Sequence, residues 1–209
     1  MTRGADSPPF FCDTQAMDTP ILILAAGQSS RMRGTDKLAQ IIGNAPQLHR
    51  ITAAACTVST RVYVALTAAR VALIQDLPAT PMILPASQEG MGGTLRAAVA
   101  ALPDCTHFMV LLADMPDITA QDMRAVLAAS SAAPDACIWR GASATGQPGH
   151  PILFHASLRP KFADLHGDAG GDVIVKPLKD QTILIPLPHA RTDLDTPEEW
   201  ALWRKSRGE

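Results

Sequence analysis

The chain has 209 residues, 47% of them hydrophobic and 18% charged, with a formal net charge of -2 at pH 7. This fits one α/β domain with a sizeable core and carries no signature of disorder. It excludes a general nucleic-acid binder, which shows a basic excess, and no apolar run nears the roughly 20 residues of a membrane span.

Residues 1–16 are rich in Pro, Asp and Thr, with Phe10 and Phe11 as their strong apolar feature. They read as an appendage, either a disordered tail or an over-extended gene start, with the native domain expected over 17–209 from Met17. Asp6, Pro8, Pro9 and Asp13 stand where a signal peptide needs an apolar core, so export is disfavoured and the cytoplasm is the default location. Cys12, Cys56, Cys105 and Cys137 form no CxxC pair and fit no zinc spacing. They read as small buried hydrophobes in a reducing compartment.

From there the chain alternates. Apolar strand-type runs cover 21–24, 62–66, 82–84, 108–112, 136–139, 151–154 and 182–185. Near-continuous apolar strands are what a sheet buried on both faces requires. Between them, Ile51, Ala54, Ala55 and Val58 share one helix face, as do Leu95, Ala98, Val99 and Leu102. Met123, Val126 and Leu127 follow Thr119, a suitable N-cap. The alternation predicts an open, mostly parallel sheet with helices on both sides, in one α/β/α domain. Ligands of such folds sit at the carboxyl ends of the strands. Three segments lie there: 25–37, 113–116 and the surroundings of His150.

In the first of these, Gly27 permits a sharp turn. Gln28, Ser29 and Ser30 let backbone N–H groups converge on an anion, and Arg31, Arg33 and Lys37 add charge. No GK[ST] follows and no GxGxxG is present, so neither a Walker A loop nor a dinucleotide fingerprint is read here. A solvated basic turn and an anion site both fit the composition.

The stretch "LAAGQSSRMRGTDKL" at 24–38 resembles the LAAGxSxRMGxxxKL signature of the nucleotidyltransferases that include molybdenum cofactor cytidylyl- and guanylyltransferases. The resemblance implies a Rossmann-like fold of the nucleotide-diphospho-sugar transferase type. It implies that Leu24, Ala25, Ala26, Gly27 and Ser29 wrap the nucleotide phosphates, while Arg31 and Lys37 neutralise the triphosphate and the departing pyrophosphate. One departure is clear: Arg33 stands where the family has glycine, with Gly34 next.

"FMVLLADMPDIT" at 108–119 ends a buried strand with Asp114. Pro116 cannot donate to a ladder, so pairing is expected to stop there and to leave Asp114 at the mouth of the sheet. A carboxylate beside a triphosphate is a ligand for Mg²⁺, the cofactor expected here. Asp117 reads as a turn residue or cap. The segment is similar to the family's GDMP element, with Ala113 replacing its glycine.

Later motifs appear in the family's order. "EGMGGTLRAAV" at 89–99 resembles a glycine-rich loop before a helix that lies against the nucleotide base, with Gly90 and Thr94 as nucleotide contacts. "GQPGHPILF" at 146–154 resembles GxxGHPxLF, and "LHGDAGGDVIVK" at 165–176 resembles an acceptor-side loop that usually reads GDxGAR. These imply acceptor contacts at Gly149, His150 and Asp168, with Gly171 and Asp172 replacing the Ala-Arg pair. "RTDLDTPEEW" at 191–200 starts a helix at Thr196 and Pro197, and is similar to the family's DxDTPED element. Asp193 and Asp195 alternate, and one of them is implied to complete the metal site opposite Asp114; the sequence does not choose between them.

The implied reaction transfers CMP from CTP to molybdopterin with release of pyrophosphate. Leu-Ala-Ala-Gly and Ala-Asp-Met-Pro are similar to the family's pyrimidine users rather than its guanine users. The rivals are transfer from GTP or to another phosphorylated acceptor, such as a sugar phosphate or terpenoid precursor, and a non-catalytic chaperone that holds the cofactor for a molybdoenzyme.

Overall fold

The computed structural model describes residues 18–84 and 90–208. The expectations for residues 1–16 and the start at Met17 lie outside the described residues.

The elements run β1 (Ile21–Ala25), β2 (Ile41–Ile42), β3 (Ala45–Pro46), α1 (Gln47–Cys56), β4 (Val62–Leu66), β5 (Thr80–Ile83), α2 (Gly90–Ala101) and β6 (His107–Leu112). They continue with α3 (Ala120–Ala132), β7 (Ile138–Ala142), β8 (Pro148–His155), α4 (Arg159–Phe162), α5 (Asp172–Val175), β9 (Thr182–Pro186) and α6 (Pro197–Arg207). Among the described residues the main sheet has seven strands in the order β5-β4-β1-β6-β8-β7-β9. Its pairs are parallel except those of β8, which runs antiparallel to both β6 and β7. The expected mostly parallel α/β sheet is present.

Alternation along β1 shows why both faces need cover. Ile21, Ile23 and Ala25 enter a core with Leu48 and Ile51 of α1 and Met123 and Val126 of α3. Leu22 enters the opposite core with Leu95, Ala98 and Val99 of α2. Each such side chain contributes about 1.5–3 kcal/mol when fully buried, so a register slip of one residue is strongly disfavoured. Phe108, Phe154 and Phe162 pack mutually, with ring centroids 5.2–5.5 Å apart, and tie β6, β8 and α4 together.

Several expectations change. The run predicted at 136–139 starts and ends later, and that at 151–154 lengthens into β8. Gly90, Gly92 and Gly93 are not a loop ahead of a helix; they form the first turn of α2. The reason is close approach. A Cβ at Gly90 would sit 2.5 Å from the Gly167 carbonyl oxygen, and one at Gly92 would sit 2.8 Å from the backbone of His166. Only glycine lets segment 166–168 press against this helix, and the Gly92 N–H donates to Gly167 O at 2.8 Å.

Cys56, Cys105 and Cys137 are free thiols but only half-buried, so they fill the margins of the core rather than its centre. Asp117 lies in a turn, as expected, and its side chain has a further use. It accepts from Trp203 Nε1 at 3.1 Å and from Arg207, and so fastens α6 to the sheet end. Thr119 is the cap of α3, in a reciprocal capping box with Asp122. Among the described residues no helix is long and apolar enough to cross a membrane.

Candidate active site

The first loop leaves β1 through two left-handed residues, Ser29 and Arg33, each with φ of 52°. Position 33 is where the resembling sequences carry glycine, and its φ supplies the physical reason. Arg33 meets the same backbone demand and turns its side chain outward to Glu198, 2.8 Å away. The loop is held from below by Arg70, which is 6% exposed. Its guanidinium donates to the carbonyls of Ala25 (2.5 Å) and Gly27 (2.8 Å), and to both Asp36 oxygens at 2.7 and 2.8 Å. Asp36 in turn accepts from Leu38 N at 3.0 Å and caps the short turn of Lys37–Ala39. Burial of Leu38 in the core then fixes the direction of Lys37.

Lys37 Nζ lies 2.5 Å from Asp114 Oδ2 and 2.7 Å from Asp195 Oδ1. The other oxygen of Asp195 is 2.6 Å from Arg31. Three loop cations thus meet carboxylates from two distant segments. The Leu194 N–H donates to Asp114 O at 3.2 Å, which brings the 193–195 segment against the end of β6. A reciprocal capping box between Thr196 and Glu199 starts α6 immediately afterwards. The Asp195 side chain therefore serves the cations, while its N–H joins the cap by donating to Glu199 Oε2 at 2.7 Å. Burial pulls the Lys37 pKa down, but Asp114 and Asp195 more than offset it, so the ammonium is held above its ordinary value. Asp193 moves the other way for a carboxylate: burial, then the charges of Asp114 and Asp195, push its pKa up.

A cleft at the carboxyl ends of β1 and β6 has two halves. One, of about 510 Å³, is lined by Leu24, Ala25, Ala26 and Gly27 together with Lys37, Asp114, Gly90 and Thr94. The other, of about 500 Å³, is lined by Gly149, His150, Asp193 and Arg140 among others. Asp168 borders both halves. The expected nucleotide residues and the expected acceptor residues are thus brought to adjoining halves of one cleft. Ser29 and Arg31 are not on its lining: Ser29 faces a smaller hollow behind the loop, and the Arg31 side chain is 67% exposed above Asp195.

The family of MobA-like NTP transferase domains matches residues 21–182, well over half of the chain. The chain belongs to that family. Over 115 residues it is 32% identical to the bifunctional protein GlmU of Acidithiobacillus ferrooxidans, a match of 53% of this chain but only 25% of that relative. Among solved structures, a homologue of Mycobacterium tuberculosis Rv0371c from Mycobacterium sp. strain JC1 superposes with a TM-score of 0.78 at 24% identity, over 91% of this chain and 98% of that one. Rv0371c of M. tuberculosis in complex with manganese gives 0.69 at 19% identity, over 91% and 99%. CMP:2-keto-3-deoxy-manno-octonic acid synthetase complexed with CTP gives 0.69 at 14%, over 91% and 98%. At these identities the solved structures establish the fold.

In this MobA-like NTP transferase domain, a divalent cation has a place to go. Asp114 Oδ1 is buried and has no hydrogen-bond partner, and the Asp193 carboxyl nearby is held above its ordinary pKa first by burial and then by the charges of Asp114 and Asp195. Among the described residues no group of three or more His, Cys, Asp and Glu side chains could hold a metal. Two carboxylates suffice where substrate phosphates complete the shell, so the residues present fit the ion.

Sequence reasoning missed Arg70 and Arg140. Arg140, on β7, is 6% exposed and reaches the half of the cleft lined by Gly149 and His150. Asp172, where the resemblance implies an arginine, is its partner at 3.2 Å. His150 is half-buried, its Nδ1 3.4 Å from Val110 O, and burial with the nearby Arg140 charge pushes its pKa down to about 4. It is neutral at pH 7.

Proposed function

We propose that this chain transfers the CMP unit of CTP to molybdopterin, releasing pyrophosphate and forming the cytosine dinucleotide of the molybdenum cofactor. The observation that carries the reading is the placement of Lys37 between Asp114 and Asp195, on the half of the cleft formed with the first loop. CTP is favoured by the Leu-Ala-Ala-Gly loop and supported by the CTP held in a protein of the same fold.

In the reaction, an oxygen of the acceptor's terminal phosphate forms a bond to the α-phosphorus of CTP. The bond from that phosphorus to the bridging oxygen breaks, and pyrophosphate leaves with the electron pair. Both partners are anionic, so the chain must align them and offset their repulsion. The backbone from Leu24 to Gly27 receives the phosphates, and Ser29, bonded to Asp36 and Arg70, holds the loop from behind. Gly90 and Thr94 flank the nucleotide at the start of α2. Lys37 and Arg31 offset charge moving onto pyrophosphate. Gly149, His150 and Asp168 contact the acceptor. No general base is required, because a phosphate monoester is largely ionised at neutral pH. Mg²⁺, held by Asp114 with Asp193, supplies charge neutralisation at the reacting phosphates when bound. Asp193 is preferred over Asp195, whose two oxygens already serve Lys37 and Arg31.

The test is incubation with each NTP in turn, Mg²⁺ and molybdopterin, read as pyrophosphate release. Release with CTP alone is the expected result. Release with GTP, or only with a sugar phosphate or terpenoid phosphate, would replace the substrate assignment. Tight molybdopterin binding with no release under any NTP would favour the chaperone reading.

A further inference from the structure

The acceptor half of the cleft contains a charge that the proposed reaction does not yet use. Arg140 leaves β7 where the pairing with β8 shifts register between Arg140 and Ala142. Such a shift re-aims a side chain. Gly141 permits it, since a Cβ there would meet the His150 carbonyl oxygen at 2.5 Å. The guanidinium that results is almost fully enclosed, with its side chain only 7% exposed.

Its compensation is thin. Nε donates to Gly149 O at 3.1 Å and Nη1 reaches Asp172 Oδ1 at 3.2 Å. Nη2 has no hydrogen-bond partner among the described residues, and the side chain lines the cavity. Asp172 sits on the four-residue helix α5 with its side chain 59% exposed. A buried cation whose one carboxylate is long and wet is poorly repaid for its desolvation. Burial accordingly pulls the Arg140 pKa below its ordinary value, though not near neutrality for a guanidinium. Arg191 and Lys176 line the same cavity, against Asp168 and Asp193. Neutral His150 beside Arg140 adds no charge to either side.

We propose that Arg140 is the anchor for an oxyanion of the acceptor, and that Asp172 is a built-in competitor for the same guanidinium. The inference rests on the reading that this half of the cleft takes the acceptor. A planar guanidinium with one open edge facing a cavity matches a phosphate or carboxylate group and prefers it to neutral ligands. Binding the oxyanion shifts Arg140 from a partial ion pair with Asp172 to a fuller one with the ligand. Asp172 thereby sets a threshold: an acceptor lacking the oxyanion does not displace it. Arg140 selects the acceptor, while Lys37 and Arg31 handle the nucleotide.

The experiment follows the Arg140 Nε–H resonance by NMR in the full chain during titration with inorganic phosphate, and separately with acetate. The resonance is assigned by its loss in R140K. Should R140K fail to fold, its displacement in D172N identifies it, since Asp172 is exposed and outside the core. The expected result is a saturable shift in the wild type. In D172N the same anion should bind about fivefold more tightly, the scale of one partly exposed ion pair. Saturation by phosphate points to a phosphate-bearing acceptor, and saturation by acetate alone to a carboxylate-bearing one; either supports the anchor. No shift with either anion, or equal affinity in wild type and D172N, overturns the proposal. A purely structural Arg140 would not make D172N bind the anion more tightly. The readout uses neither nucleotide nor turnover, so inactivity toward molybdopterin would refute the proposed reaction and leave this site standing.

Discussion

The two halves of the cleft are built in different ways. The half proposed for the nucleotide is built mainly on the loop following β1, with Lys37 only a dozen residues beyond Ala25, and is closed by Asp114, Gly90 and Thr94. The half proposed for the acceptor is assembled from segments far apart in sequence, brought together where glycine lets backbones nearly touch. A Cβ at Gly149 would lie 2.0 Å from the Ala190 carbonyl oxygen. One half is specified by local chain direction, the other by long-range fit. Each therefore fails in its own way when altered.

The largest effect should come where the first loop meets the end of β6. Asp114→Ala removes the buried carboxylate facing Lys37, and CTP-dependent pyrophosphate release should fall about a thousandfold or more, ~4 kcal/mol of barrier. Circular dichroism should show the fold retained. Undiminished turnover would remove Asp114 from the site.

Next is the support beneath the nucleotide loop. Arg70→Ala leaves the carbonyls of Ala25 and Gly27 and the Asp36 carboxylate without their shared donor. Breaking a buried pair of this kind costs about 3–5 kcal/mol, read as a lower denaturant midpoint. CTP affinity should fall with it, because the loop loses its floor. An unchanged midpoint would mean the loop holds its own shape.

For the acceptor half, Gly149→Ala should cost about 3 kcal/mol through overpacking against Ala190. CTP affinity, measured by calorimetry, should stay close to that of the parent. If CTP binding fell as much as stability, the two halves would not be separable.

The smallest effect is a pH dependence confined to the same half. The His150 pKa is lowered to about 4 from 6.5. The unfolded chain therefore takes up a proton before the folded one does. The stability linked to neutral His150 is complete above the unfolded value and is lost as pH falls through the folded value. Relative to H150Q, the parent should lose on the order of 2 kcal/mol between neutral pH and pH 4, read from urea midpoints across that range. Parallel profiles for the two proteins would show that His150 charges freely.

This contrast also explains what could be read from the sequence. Strand β4 was legible to the residue, and β1 and β6 to within one, because a sheet covered on both faces leaves apolar runs in the chain. Asp114 was legible because it lies just past a strand end, and Lys37 because it closes the motif of the loop after β1. Arg70 was not: it sits in a short turn like any surface cation, and its partner Asp36 is 34 positions away. Arg140 was hidden inside an apolar strand, where only the register shift against β8 explains its direction. The glycines opening α2 were misread as loop because their purpose, contact with His166 and Gly167, lies entirely outside their own segment.

The span between Lys37 and Asp195 has a consequence for how the protein is made. These partners are separated by 158 positions. During synthesis the strands β4, β1 and β6 are all available long before Asp195 leaves the ribosome, so the sheet can begin to order around a charge cluster that is still missing one carboxylate. Until that late segment arrives, the ammonium of Lys37 and the carboxylate of Asp114 face each other without their third member, and the first loop lacks the packing of Trp200 and Trp203 against Met32. The completed Lys37–Asp114–Asp195 cluster is therefore among the last features the nascent chain acquires.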